Sequence, residues 1–581
     1  MVSQSEPSRI WKKYQLDSHA EGFEIAQRRL MCKVRSFALA ALLAVNISNA
    51  QDQARGLQPS APEVALGDRL FFETRFAQYF FAHSNGDVNV TLDLGDPIVE
   101  SVQRPSQTDL SGPFRGQSVS CRHCHLGDDF IQIEPLAQRT YCDFSARSRI
   151  PQRNDRFTQT VRNTPIMIDL GLPSEIPQLR HYDGEFVSTE ELIVNTLVGR
   201  NMGWRIDEYS IAIGHIARVV REDVGMNARY IQDQQGHGIP YRVVLLGTDP
   251  SLSPRLRLPM QYRLDVQSAS DHAVLEAIAK LMHAYIDSLR FGTEDTNRTR
   301  GSPYDLFLEK NNLPRKAAHG ESNQAYSQRL ISLIEKRNDF NWVTQQQDGR
   351  FRLHSHAYQF GEMELTGLKI FFARKGVTHG NCVACHIPPQ FTDNRFHNTG
   401  VSQFEYDSIF GIGAFARLYV PDLTIRNAQY DTYLPASRQH PNATSRFRAI
   451  PSREKPGFAD LGVWNVFANP DLPRPQLALT EILCSSAIPV KTECKASAVL
   501  PLTLALFKTP SIRDLGHSNP YLHSGTASTI EDVLNFYVTA AALAREGQIR
   551  NGSQELLGVH IDESDIPPLA AFLRSLDEDY H

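Results

Sequence analysis

Two short stretches hold the residue types that do metal and redox chemistry: "SVSCRHCHLGDDF" and "GNCVACHIPP", that is, Cys121-x-x-Cys124-His125 and Cys382-x-x-Cys385-His386. A C-x-x-C pair can ligate zinc, run thiol–disulfide exchange or anchor a c-type haem. A four-cysteine zinc site brings its two pairs within about 15–20 residues of each other, whereas these pairs lie in opposite halves of the chain. A dithiol redox pair needs neither a histidine fixed directly after its second cysteine nor a second copy. In a c-type haem the two thiols add across the two vinyl groups and the adjacent imidazole binds the iron, so spacing and order follow from the porphyrin. The pattern therefore points to two covalently bound haems c. Cys121, Cys124, Cys382 and Cys385 are the attachment points, and His125 and His386 are the proximal iron ligands.

The elements that must position these motifs are themselves duplicated. "VALGDRLFFETRF" precedes the first and "ELTGLKIFFARKG" the second. Each reads as a helix with a Leu-Gly or Gly-Leu pair, ends in Phe-Phe, and passes through a polar loop to C-x-x-C-H. We expect a mainly α fold of two tandem cytochrome-c-like haem domains with long loops and insertions, because haem supplies much of each core. Between the motifs, "DHAVLEAIAKLMHAYIDSLRF" has apolar residues at helical spacing, while "GTEDTNRTRGSP" and "TQQQDGRFRLHSH" read as loops. The module boundary is expected near 345, giving haem domains over 51–345 and 346–581.

Hydrophobic and charged contents of 41% and 22% are those of a soluble globular protein, and a net charge of −5 over 581 residues gives no reason to expect a nucleic-acid partner. From Met31, "MCKVRSFALAALLAVNISNAQDQ" has Lys33 and Arg35, an apolar run from Phe37 to Val45, and Ser48-Asn49-Ala50 as a cleavage site. The run is shorter than the ~20 residues a permanent membrane span needs. Residues 31–50 thus read as a secretory signal, Met31 as the true start, and 1–30 as an upstream extension. Export to the periplasm agrees with covalent haem attachment and permits a disulfide between Cys484 and Cys494. Cys142 is left over.

In order and content the motifs resemble the bacterial di-haem cytochrome c peroxidase and MauG family. The resemblance rests on "LGDRLFFETRF", "SVSCRHCH", "VRNTPIMIDLG", "YDGEF", "LTGLKIFF", "NCVACHIPPQFTDNRFHNTGV" and "FKTPSIRDLGHSNPYLHSGTASTIEDVLNFY", and two segments look inserted, within 76–118 and 205–340. It implies an oxidoreductase that reduces H2O2 with electrons from a small periplasmic donor protein, or a MauG-like oxidation of a partner. No histidine lies between His125 and His181, so the family's switchable distal histidine has no candidate there and an open first haem is expected. The alternatives are a di-haem oxygenase using O2 on an organic substrate, or an electron-transfer cytochrome.

The resemblance also carries over residue by residue. The aromatic that lies between the haems in the family, usually tryptophan, maps to Tyr182 in "YDG". The distal glutamate that serves as acid and base maps to Asn201 in "NMG", which has no titratable proton; Glu190 or Glu191 could stand in for it, or could simply face solvent. The inter-haem Ca2+ would be held by Asn163 and by the carbonyls of Ser518 and Pro520, oxygen donors suited to a hard ion. Every methionine precedes Cys382, so a C-terminal methionine cannot be the sixth ligand of the second haem. Counting on from "PYLHSG" reaches Tyr537, the MauG solution, with His517 or His523 as the alternative. Ser528 with Glu531 resembles a capping box that would start the helix carrying Tyr537.

Overall fold

The computed structural model describes residues 61–578 apart from 93–94, 97–117, 128–139, 142–146, 156, 226–236, 251, 292–300, 352–353, 377–378 and 487–493. The expected leader, the upstream extension and Cys142 fall outside the described residues. Among the described residues no helix is long and apolar enough to cross a membrane.

Helices α1 (Pro62–Phe71), α2 (Thr189–Leu197), α3 (Tyr209–Glu222) and α4 (Asp271–Ser288) build the first core. The stretch read as a helix from its periodicity is α4. It buries Val274, Leu275, Ile278, Leu281, Met282 and Tyr285 at three- and four-residue spacing. Serine side chains start the helices: Ser188 accepts from the Glu191 amide at 3.1 Å and Ser270 from Ala273 at 3.2 Å, satisfying donors that a helix N-terminus leaves unpaired.

Helices α5 (Pro303–Lys310), α6 (Asn323–Glu335), α7 (Glu362–Phe372), α8 (Val401–Phe410), α9 (Gln476–Ser486), α10 (Ile530–Arg545) and α11 (Ile566–Arg574) follow. The second core joins α5, α6 and α7 to α10 and α11. Phe307 stacks on Phe360 at 4.0 Å, and Tyr304 meets Phe391 and Phe572 edge-on. The boundary expected near 345 therefore falls inside this core, because α5 and α6 lie before it in sequence yet pack with what comes after. Part of the expected loop at 344–356 is also helical, over Gln345–Asp348.

A third core has no counterpart in the expected insertions. It is built mostly from residues 396–507, with Phe447, Leu461 and Trp464 buried in short turns and irregular chain and Leu479 on α9. A two-stranded antiparallel ribbon, Phe396–His397 (β1) with Phe507–Lys508 (β2), ties the ends of this segment together, pairing Phe396 with Lys508 and His397 with Phe507.

The duplicated Leu-Gly and Gly-Leu helices now have a physical meaning. α1 crosses α4 at Gly67, where a Cβ would lie 2.1 Å from the Leu281 carbonyl oxygen; α7 crosses α11 at Gly367, where it would lie 1.9 Å from that of Pro568. Both crossings bring backbone onto backbone, so only glycine fits. Gly367→Ala is expected to cost about 1–3 kcal/mol through overpacking. Gly214→Ala, inside α3 with only an Asp271 oxygen at 3.6 Å, should instead stabilise by up to ~1 kcal/mol. Urea midpoints of the haem-loaded variants check the pair, and equal shifts would refute the close-crossing argument.

Candidate haem-binding site

Both C-x-x-C-H segments fold as the same 3-10 turn, Cys121–His123 and Cys382–Ala384. In each, the His amide donates to the first cysteine's carbonyl at 2.9 Å and the second cysteine's amide to the same oxygen at 3.2 Å. All six motif residues line one continuous cavity of about 1170 Å³, which Phe71 and Phe371 of the duplicated helices also line.

The side chains carry the protonation states that haem attachment uses. Burial, and then the neighbouring cysteine, pushes Cys121 and Cys382 up to about 12. They are neutral thiols, unlike the low-pKa thiolates of reactive dithiol pairs. Burial, and then His181, lowers His125 to about 4, and burial lowers His386 too, so both imidazoles are neutral with a lone pair to give. Nδ1 of His386 lies 2.9 Å from the Phe391 carbonyl. Donation there fixes the tautomer and leaves Nε2 to bind metal. Buried Nδ1 of His125 has no hydrogen-bond partner among the described residues. Two C-x-x-C pairs, each followed by a neutral imidazole, on one cavity wall fit two c-type haems.

Tyr182 also lines the cavity, with its ring 6.4 Å from that of His523. The rest of "YDG" is structural. Asp183 is fully buried and bonds Arg162 at 2.7 Å and Arg448 at 2.6 Å; Arg162 goes on to Asp460, and Arg448 to Glu185. Gly184, at φ +74, leaves room for the Phe396 ring. His181 Nδ1 lies 3.1 Å from Glu185, and both residues line the cavity. Lys508, half-buried with its ammonium on the Leu179 carbonyl at 2.9 Å, is lowered to about 7 by desolvation and then by Arg180.

Asn201 does reach the cavity, as the exposed middle residue of a 3-10 turn, Arg200–Met202. Glu190 and Glu191 do not line it. Glu190 bonds His283 at 2.6 Å, and Glu191 accepts from the Val187 amide at 3.1 Å. Sequence reading also missed a thioether in the interval before His181: Met167, in "RNTPIMID", is buried and lines the cavity.

At the second motif, α10 starts one residue later than expected, with Thr529 and Asp532 as the capping box in place of Ser528 and Glu531. Tyr537 lines the cavity, and its hydroxyl is raised by burial and then by the neighbouring Cys385 and Cys382. His523 lines the cavity too, where it stacks on Phe507 at 3.5 Å. The His517 side chain lies outside the described residues. A further group escaped the sequence reading, His397 with Asp393 at 2.8 Å and Glu555 at 3.5 Å beside Cys385.

Asn163 donates through Nδ2 to the Pro520 carbonyl at 2.5 Å and to that of Leu522 at 3.3 Å. The Ser518 amide and hydroxyl both turn to the Leu515 carbonyl. Cys484 and Cys494 form the expected disulfide.

No protein-family model matches the chain. A stretch of 76 residues, 13% of the chain, is 29% identical to the cytochrome-c peroxidase IdrP1 of Denitromonas iodatirespirans and spans 19% of that protein. Among solved structures, the chain is similar to a MauG-like protein associated with microbial copper homeostasis, at 16% identity and a TM-score of 0.40, over 90% of this chain and 91% of that one. It is similar also to the diheme peroxidase BthA from Burkholderia thailandensis, at 15% identity and a TM-score of 0.42, over 89% and 86%. These relatives are of the kind that the motifs resemble, cytochrome c peroxidases and MauG-like proteins.

Proposed function

We propose that the chain is an exported di-haem c-type oxidoreductase of the peroxidase type. It reduces H2O2 with electrons from a small periplasmic donor or, like MauG, oxidises a partner. The observation that carries this reading is that both C-x-x-C-H motifs open onto one cavity together with Tyr182, Asn201 and Tyr537. When bound, the two haems supply the redox chemistry: one equivalent of H2O2 takes up two electrons and two protons and leaves as two waters. The chain supplies the rest. Cys121, Cys124, Cys382 and Cys385 tether, and His125 and His386 offer neutral imidazoles. Tyr182 is the aromatic step between the two sites. Asn201 can orient a hydrogen-bonding ligand but cannot supply a proton, a task left to His181 with Glu185 accepting at 3.1 Å.

A pyridine haemochrome assay should give two haems per chain, and the loaded protein should consume H2O2 with a reduced small cytochrome. Fewer than two haems, or no peroxide consumption, would sink the proposal. The second reading, a di-haem oxygenase, is favoured by Asn201 standing where a proton donor is needed. O2 uptake with an organic substrate and no peroxide turnover would establish it.

Two finer assignments belong to the same reading. Asn163, with its Oδ1 turned away from the Thr164 amide that it accepts from at 3.0 Å, would hold Ca2+ together with the carbonyls of Pro520 and Ser518. Tyr537, which lines the cavity, would supply an oxygen donor to hold the second haem. An oxygen ligand favours ferric iron, so Tyr537→Phe should change the low-spin EPR signal of that haem and raise its potential while leaving the first haem's spectrum nearly unchanged. An unaltered signal would pass the role to a histidine.

A further inference from the structure

Away from the haem cavity, the loop read only as polar connection, "RLHSHAY", brings two imidazoles against the C-terminal end of the chain. His354 Nε2 lies 3.1 Å from Asp514 Oδ1, His354 Nδ1 3.9 Å from Asp577 Oδ2, and His356 Nε2 3.4 Å from that same Asp577 oxygen. Asp514 and Asp577 are fully buried, and the His354 ring is 2% exposed. Phe351 packs against both rings, at 4.7 Å and 4.9 Å, and holds their orientation. One ligand atom from each of His354, His356 and Asp577 lies within 4.8 Å of the other two.

We propose that His354 Nδ1, His356 Nε2 and Asp577 Oδ2 form a binding site for a divalent first-row transition metal of zinc's class. Three features support this donor set. First, Nε2–H of His354 donates to the Glu578 carbonyl at 3.3 Å, with Asp514 Oδ1 3.1 Å away, which turns Nδ1 toward Asp577; outer partners of this kind orient ligating imidazoles. Second, the other oxygen of Asp577 accepts from the Gly516 amide at 3.2 Å, so Oδ2 is the one presented to the rings. Third, the gap is kept open by a glycine: a Cβ on Gly516 would lie 2.6 Å from His354 Nδ1 and 2.8 Å from Asp577 Oδ2. Ligands about 2.0–2.1 Å from a tetrahedral zinc stand roughly 3.3 Å apart. The His356–Asp577 separation matches this, and a small turn of the His354 ring closes the other. His356 Nε2 also lies 3.3 Å from the Arg574 carbonyl and exchanges that contact for the ion. Two nitrogens and one oxygen suit zinc or copper(II) over calcium or magnesium. The site would bolt the 354–356 loop to the end of α11.

The test uses the full haem-loaded protein, freed of loose metal with a mild chelator and dialysed against zinc. Metal analysis should find one zinc per chain in the wild type and at least tenfold weaker binding in both His356→Ala and Gly516→Ala, with unchanged Soret spectra. Wild-type crystals should give a zinc-edge anomalous peak between the three donor atoms, which keeps the proposal testable should either variant fail to fold. Zinc retained equally by His356→Ala, or an anomalous peak elsewhere, would overturn it.

Discussion

Glutamate in place of Asn201 is expected to raise H2O2 turnover by about 100-fold, the lower end of what a positioned general acid or base contributes. The position faces the cavity and is itself exposed, so the new side chain meets little desolvation and should change stability by no more than ~0.5 kcal/mol. The guanidiniums nearest in sequence are already engaged, Arg200 with Asp155 and Arg205 with Asp207. They therefore leave the new carboxylate free to exchange protons. Steady-state kcat/KM for H2O2 with a reduced donor is the measurement. Unchanged turnover would mean that proton supply does not limit at residue 201. Glu185→Gln would then be the variant to slow the reaction, since it removes the partner of His181.

The largest stability effect is expected from Glu73→Gln, at about 3–5 kcal/mol, because it leaves buried cations uncompensated. Glu73 sits just beyond α1, 1% exposed, and accepts from Arg69 at 2.8 Å, from Arg75 at 2.9 and 3.0 Å, and from the Tyr241 hydroxyl at 2.8 Å. Burial alone would raise its pKa. Arg75 and then Arg69 outweigh burial and hold it at about 2, against an ordinary value of 4.5. A depressed folded-state pKa stabilises above the unfolded value, and that contribution is lost as pH falls toward the folded one. Some 3 kcal/mol should thus disappear between about pH 4.5 and pH 2. Urea denaturation of wild type and variant across that range should show the variant's acid limb to be the flatter; parallel limbs would contradict the assignment.

What the sequence made legible is what repeats or has a period. The two C-x-x-C-H turns share their backbone hydrogen bonds because the same five-residue pattern recurs. α4 could be read from its apolar stripe, and the duplicated Leu-Gly and Gly-Leu signal turned out to mark two backbone crossings. Illegible were the partnerships between residues distant in the chain. Nothing local tells Arg162 that Asp183 and Asp460 will enclose it, or ties Arg448 to "YDG". The third core was missed because Phe447, Leu461 and Trp464 are buried by short turns without helical or strand period. The core to which α5 and α6 belong was illegible for a related reason: both are ordinary amphipathic helices, and only their burial in one core with Phe360 and Phe572 says where they pack.

That packing also sets an order in time. The first core is complete once the chain has been made through Phe291, whereas the second joins residues 304–391 to residues 512–576 and cannot close until α11 has followed the whole third core. Distant pairings of this kind are slow, because loop closure must precede contact. Leu569 and Leu573 of α11 form part of the cavity wall. As the chain emerges from its N-terminus, Cys382 and Cys385 therefore stay accessible on an unfinished lobe long after Cys121 and Cys124 have been enclosed. The second motif is therefore the last to be enclosed, and a chain stopped short of α11 would carry it on a lobe with no lid.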